Sequence, residues 1–583
     1  MIENRLGRLA CAVIALILAA FPIVITPAEL GEKPQIDVRE MQEWGNALSD
    51  PSMCPRAPGT IKLDRCADWI EDKLKSFGLE TWREAINFTG VFHKRWELKV
   101  LSPIQKELVC YPQKHTGFGD FEELHLVDVG YGYPWDYLGK DVKGRAVLIN
   151  LQSHDIESLM GQFGRPINKF THGLIPAEHG MVMHYNWAAE HGASAMVGYF
   201  DSMPEDMIVY ALLGLLSNAA EIPMPQLTIG LNDASYLKEA CAKGPVKIRF
   251  LSEGDSHVST APMIVGRLPG KTDDIILFTK WYDAPFSGAN PNQGIVCTLE
   301  VAKYFSKLPL EEREKTLMFM FDPTLLYINC NLATLTFAEN HPDLLDKIVC
   351  QFHMDGDWPY FTDPTTLIPY SGIMREKLKD LGIDWSYSPL RWATVAENPF
   401  IWYTVLKNLW GYVIKSLLEQ GIQGSWPYQP GLFLVWPNVF LVWCSGCLRY
   451  QYGVPVANIM SYTSWRTGTT EDTWGYITDE LLYGLARSHI EMVEDLDSTP
   501  GDILRKADLG GYPLLDKLLQ PKFGCGTYFG GIEPIGIEYP PGESYVPEPG
   551  EPLLAGGYYK PVHWETSPFD SFTPTSAPVV PYS

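Results

Sequence analysis

The sequence predicts an α/β protein whose central strands are covered by helices on both faces. Two observations carry this. Asp274-Ile-Ile-Leu-Phe-Thr-Lys280, Leu317-Met-Phe-Met-Phe321 and Ile348-Val-Cys-Gln-Phe-His-Met354 are almost continuously apolar, as strands buried on both faces of a sheet should be. Segments with helical periodicity lie around these runs. The clearest, Asp64 to Gly78, puts Ala67, Ile70, Leu74 and Phe77 on one face and stops at a glycine.

The elements can be justified in chain order. Arg5 and Arg8 precede an apolar run from Leu9 to Ile25, so residues 1–30 read as a signal peptide or membrane anchor. Residues 31–100 open the main domain with the helix at 64–78 and then an alternating, strand-like run from Leu79. Residues 101–255 contain further strand runs with one long excursion, Ser153 to Tyr185, carrying His154, His172, His179 and His184. Their spacing matches no metal motif, and they read as surface histidines. The strand and helix alternation returns over 256–495, interrupted by an aromatic-rich insertion at 370–450. Residues 496–583 form a Pro-, Gly- and Tyr-rich extension, read as an extended tail.

Composition narrows the function classes. At 583 residues, 46% hydrophobic and 20% charged, the chain is a folded multidomain protein. Its net charge of −24 argues against nucleic acid as a partner, because phosphates repel an acidic surface. The N-terminus predicts export, with the body periplasmic, extracellular or membrane-anchored outside the cytoplasm. In an oxidising compartment Cys54 and Cys66, which flank a loop and a helix start, are a candidate disulfide. Cys444 and Cys447 read as buried structural cysteines, and Asn87-Phe-Thr89 is the one glycosylation sequon.

Four stretches carry a resemblance to a known family. They are Lys280-Trp-Tyr-Asp-Ala-Pro-Phe-Ser-Gly-Ala-Asn-Pro-Asn-Gln-Gly294, Lys315 to Leu325, Lys347 to Gly356, and Tyr452 to Ile459 followed by Gly468-Thr-Thr-Glu-Asp-Thr473. In order, they resemble the metal-binding segments of the M28 zinc aminopeptidases. The helix-then-strand opening is similar to the start of those enzymes as well. Tyr137 to Asn150, Asn186 to Gly198, Ile222 to Ile229 and Val246 to Leu251 resemble a protease-associated domain inserted at 101–255. The resemblance implies a mixed central sheet flanked by helices, interrupted by a β-rich insert that serves as a lid or binding module.

It also implies that the metal site has been emptied. Trp281 stands where the family has its first histidine ligand, and Pro291 where it has the bridging aspartate. Thr324 and Leu325 replace the Glu-Glu pair of base and ligand, and Gly468 replaces the last histidine; Asp355 is kept. Indole offers only an N–H donor and proline no side-chain donor, so neither binds zinc. The expected metal and cofactor content is therefore none. A shifted alignment would leave His353, Asp357, Asp322 or Glu471 as replacement ligands.

The site segments are rich in aromatics instead. Trp281, Tyr282, Thr324, His353, Trp358 and Trp465 are the candidate ligand pocket, with Trp474 close by, and Asp283, Asp355 and Asp357 are the candidate catalytic carboxylates. Aromatic rings with a few carboxylates suit a small organic ligand, and the same rings serve equally as filler for a lost metal cavity. Three functions stay open: a binding, scaffold or assembly subunit with a small-molecule or protein ligand, alone or in an oligomer; a metal-independent enzyme working through carboxylates; or a metallopeptidase with displaced ligands.

Overall fold

The chain enters its sheet through two capped helices. The computed structural model describes residues 35–113, 116–151, 187–200, 206–208, 224–324, 327, 332–354, 392–396, 426–428, 454–461 and 469–505. By contact pattern the chain divides into residues 1–35 and 36–583, and all the described helices and strands belong to the second unit. Helix α1 (Val38–Leu48) starts where the Asp37 carboxylate accepts from the Glu40 amide at 3.0 Å. Helix α2 (Ile61–Ser76) starts at Thr60, whose hydroxyl accepts from the Leu63 amide. It buries Leu63, Cys66, Ala67, Ile70 and Leu74, the stripe its periodicity predicts, and gives way at Gly78, whose φ of +84° favours glycine.

The strands follow in chain order: β1 (Glu80–Ser102), β2 (Lys106–Leu108), β3 (Cys110–Pro112), β4 (Gly119–Asp128), β5 (Ala146–Asn150), β6 (Ala195–Tyr199), β7 (Gln226–Ile229) and β8 (Val246–Leu268). Then come β9 (Ile275–Trp281), β10 (Thr316–Asp322), β11 (Ile348–Met354), β12 (Trp392–Ala396), β13 (Trp426–Tyr428) and β14 (Val456–Ser461). They form one mixed sheet in the order β13-β12-β14-β11-β9-β10-β8-β4-β5-β6-β7-β3, with β1 paired to β8 and β2 to β1. At its centre β10, β9, β11 and β14 run parallel, while β8 and β12 lie antiparallel on either side.

In sequence, an apolar run ending at Leu251 looks separate from strands resuming at Ser259. The structure joins them. β8 is continuous from Val246 to Leu268 because β1 pairs with it along its length, interrupted only by bulges at His93/Arg95 and Val100/Ser102. The lower half of β8 serves the central sheet through β10, and its upper half serves β4 and the β-rich module.

Helices α4 (Ala289–Ser306), α5 (Leu332–Asn340) and α6 (Asp479–Asp497) flank the sheet, and α3 (Leu231–Lys243) packs on the module. α1, α4 and α6 pack on one another. On the α4 side the rings of Phe278, Phe319 and Phe352 stack across three adjacent strands, with centroids 5.1 and 5.5 Å apart. Ala333, Phe337 and Ala338 of α5 share a second cluster with Leu277, Met318 and Met320. Every position of β9, β10 and β11 is buried, so their continuous apolar pattern reflects cover on both faces. The module has a core of its own, from Leu98 to Phe250, around Leu148, Val197 and Leu227.

The disulfide expectation is corrected. Cys54 and Cys66 are both free and buried. The Cys54 thiol lies 3.1 Å from the Leu48 carbonyl and 3.2 Å from that of Ser287, with the Arg56 guanidinium 2.8 Å away, while Cys66 is packed in the α2 stripe. Among the described residues no helix is long and apolar enough to cross a membrane. The N-terminal apolar run, the four histidines of 153–185, Cys444 and Cys447, and the proline-rich tail lie outside the described residues.

Candidate functional site

The carboxyl ends of parallel strands are where an open α/β sheet offers a ligand site, and here they are Trp281 on β9 and Asp322 on β10. These two residues are register partners across the sheet, and the Tyr282 amide donates to the Asp322 carbonyl at 2.8 Å. The chain then turns through Asp283 to Ser287 into α4, whose N-cap Gly288 takes φ +61°. Pro291 sits in the first helical turn, where the absence of an amide hydrogen costs nothing.

Trp281 is 2% exposed, and the ammonium of Lys280 lies 3.6 Å from its ring centroid. Lys280 itself is fully buried and runs under α4: a Cβ on Gly294 would come within 2.9 Å of its Nζ and closer still to its methylenes. A side chain at that helix position would force the lysine to shift. In sequence Lys280 and Gly294 mark only the ends of a motif; the signal for the pair is a lysine one residue before the end of a largely apolar strand.

Asp283 is completely buried, and its Oδ2 accepts from the Tyr327 amide at 2.9 Å. Burial opposes the charge of the Arg56 guanidinium, also completely buried, but the neighbouring Cys54, Cys66 and Asp283 outweigh it and favour the protonated arginine. Arg56 donates to the Tyr282 carbonyl, to the Leu48 carbonyl at 3.1 Å and to Asn292 Oδ1 at 2.5 Å. Its backbone forms a two-way bridge with Ala284. Asn292 completes the knot by donating to Ser49 Oγ at 2.9 Å and to the Ser287 carbonyl at 3.1 Å. Arg56 thus ties the segment before α2 to the loop after β9. Sequence reasoning misses it, because an arginine set between prolines in Cys54-Pro-Arg-Ala-Pro-Gly-Thr60 has no periodicity to mark it.

The remaining candidates fall in different places. Thr324 is buried, and both its amide and its hydroxyl donate to Asp322 Oδ1, at 2.7 and 2.8 Å. Burial outweighs those bonds and raises the Asp322 carboxyl to about 7. His353 is buried on β11 with Nδ1 3.0 Å from Thr279 Oγ1, and burial followed by the nearby Lys280 charge keeps its ring neutral. Tyr282 turns the other way, its hydroxyl donating to the Pro262 carbonyl on β8. Trp474 is also drawn elsewhere. Its indole donates to Gln42 Oε1 at 2.8 Å and fills the notch of Gly45 on α1, where any Cβ would collide with the ring. Asp355, Asp357, Trp358 and Trp465, with Leu325 and Gly468, lie outside the described residues.

Two contacts bring the module to this end of the sheet. The Phe286 ring meets Tyr111 of β3 edge-on at 5.1 Å. The Ile208 amide donates to Thr470 Oγ1, and the Thr470 amide returns a bond to the Ile208 carbonyl. The loop at 469–472 is itself tied to the site, since the Asp472 carbonyl accepts from the Ser287 hydroxyl and the Ala289 amide.

A dinuclear zinc centre does not fit the described donors. The indole and the pyrrolidine supply no ligand, and a buried ammonium beside Trp281 would repel a dication. Among the described residues no three His, Cys, Asp or Glu side chains are grouped to hold a metal ion.

No protein-family model matches the sequence, and no curated protein does. Solved structures do. The zinc aminopeptidase BSAP from Bacillus subtilis aligns with a TM-score of 0.52 at 15% identity, over 81% of this chain and 98% of that one. The peptidase M28 precursor from Shewanella amazonensis SB2B gives 0.51 at 15% identity, over 79% and 98%. The chain therefore has the M28 aminopeptidase fold, as its motif remnants led one to expect. At such identity the likeness defines the fold and leaves activity to be argued from the residues.

Proposed function

We propose that this is an exported protein of M28 aminopeptidase fold that works without zinc, as a binding, scaffold or assembly component. The observation that carries the reading is the pairing of Lys280 with Trp281. In this reading an indole stands where the M28 motif has its first histidine, with a cation against its ring, and the burial of both supports a place that is filled rather than merely altered. The knot of Arg56, Asn292 and Asp283 supports it, since it rigidifies the loop without presenting donors to a metal. In this reading the β-rich insert is a protease-associated module that approaches the site through Tyr111 and Ile208. Metal analysis of protein purified without added metal, alongside cleavage of aminoacyl substrates with and without chelator, tests it. Substoichiometric zinc and no chelator-sensitive cleavage are expected; stoichiometric zinc with chelator-sensitive cleavage would sink the reading.

A second reading rests on Asp322. A carboxyl raised by burial to about 7 at the carboxyl end of β10 suits general acid or base work without a metal. It demands a turnover that survives chelator and is abolished in Asp322→Asn.

A further inference from the structure

Midway along the β1–β8 pair the sheet narrows to two strands. β8 pairs with β4 only up to Ser252 and with β10 only from Ile264, and β2 joins β1 only from Leu98. Among the described residues, neither β1 from Ala85 to Phe92 nor the facing stretch of β8 has a second strand partner. One face of this ribbon is packed, with Ile86, Phe88 and Phe92 buried. Strand alternation puts Ala85, Asn87 and, across from Asn87, Thr260 on the other face, and all three are exposed. Val258, the diagonal cross-strand neighbour of Asn87 on that face, is 68% exposed. From Ala85 to Phe92 the strand reads Ala-Ile-Asn-Phe-Thr-Gly-Val-Phe, without a charge or a proline. Those residues ordinarily blunt an exposed strand edge, and an uncharged edge without them is a template for pairing with another chain.

We propose that Asn87 carries an N-linked glycan and that this sugar shields the ribbon. Three observations converge on it. Asn87-Phe-Thr89 is an acceptor sequence, and it falls inside the uncharged run. Asn87 is exposed on the outer face, and its carboxamide makes no hydrogen bond among the described residues, so a sugar on Nδ2 disturbs no existing bond. A bulky, hydrated glycan at this position stands beside the exposed Val258 and against the approach of a second strand. The transfer needs an oligosaccharide carried on a lipid pyrophosphate. Asn87 Nδ2 bonds to the anomeric carbon of the first sugar as that carbon's bond to the pyrophosphate oxygen breaks; one amide proton leaves, and the lipid pyrophosphate departs. The proposal rests on the export reading, because sequons of this kind are modified in exported chains.

The experiment takes the full chain from its own source and asks first in which fraction it is found. Trypsin releases residues 84–94, Glu-Ala-Ile-Asn-Phe-Thr-Gly-Val-Phe-His-Lys, as one peptide. Mass spectrometry is expected to find that peptide carrying sugar on Asn87 in protein recovered outside the cytoplasm. Asn87→Gln and Thr89→Ala should each abolish the modification, and light scattering should then show both variants associating further than the parent. Exported protein with peptide 84–94 unmodified would overturn the proposal and leave the export reading standing. Protein found only in the cytoplasm, with the peptide unmodified, would overturn both. A glycan whose loss in the two variants leaves association unchanged would overturn the shielding role.

Discussion

The ammonium of Lys280 lies 3.6 Å from the ring centroid of its own neighbour, Trp281, and neither side chain reaches bulk solvent. In a medium of low polarity a cation over an indole face is worth about 2 kcal/mol or more. Gly294 is what permits the approach.

Trp281→Ala should lower folding stability by about 3–5 kcal/mol, because a buried indole leaves a cavity and strips the ammonium of its aromatic partner. Chemical denaturation read by far-ultraviolet dichroism measures it. A loss below about 1 kcal/mol would mean the ring is not part of the core.

Trp281→His should not create a zinc site. One added imidazole leaves Pro291 and the buried ammonium in place, and a dication needs several donors. Metal content after dialysis against micromolar zinc should equal that of the parent protein.

Arg56→Ala should cost about 3–5 kcal/mol, since it breaks a buried charged network and leaves Asp283, the Tyr282 carbonyl and Asn292 without it. Arg56→Lys should recover only part of the loss, because an ammonium cannot span three acceptors in the plane of a guanidinium. Denaturation midpoints of the two variants beside the parent measure both effects.

Asp322 makes stability depend on pH. Burial raises its carboxyl to about 7 from an unfolded value of about 4, so the folded protein holds this proton more tightly than the unfolded chain does. The fold therefore loses stability as pH climbs between about 4 and 7, by up to about 4 kcal/mol, and the loss is constant above that. Buried His93 and His489, both lowered to about 4, act in the opposite sense and weaken the fold as pH falls below about 6.5. Subtracting the melting curve of Asp322→Asn from that of the parent isolates the aspartate. The variant should gain on the parent as pH is raised from 5 to 8; parallel curves would contradict the raised carboxyl.

Much of this was legible in the sequence. Strands β9, β10 and β11 announce themselves because burial on both faces leaves no polar alternation, and α2 does so through one apolar stripe and a terminal glycine. Motif remnants also locate Trp281, Asp283, Thr324 and His353 near strand ends. Side-chain direction was not legible. Cys54 and Cys66 have a plausible spacing for a bridge, yet Arg56 occupies the thiol's surroundings. Trp474 lies beside a site segment in sequence but turns into a notch that only Gly45 leaves open. Arg56 escaped notice because a residue that works through long-range bonds leaves no local pattern.

The shared length of β1 and β8 has a mechanical meaning. Hydrogen-bonded from Glu80 against Arg267 up to Ser102 against Lys247, the pair is a beam clamped into the central sheet at one end and into the module at the other. A module mounted so is joined to the central sheet by a continuous ladder, broken in register at His93/Arg95, where a bulge leaves a residue unpaired and increases the local twist. Torque applied at the module would thus arrive at Ile264 and Val265, directly alongside β10 and the strand end that carries Asp322.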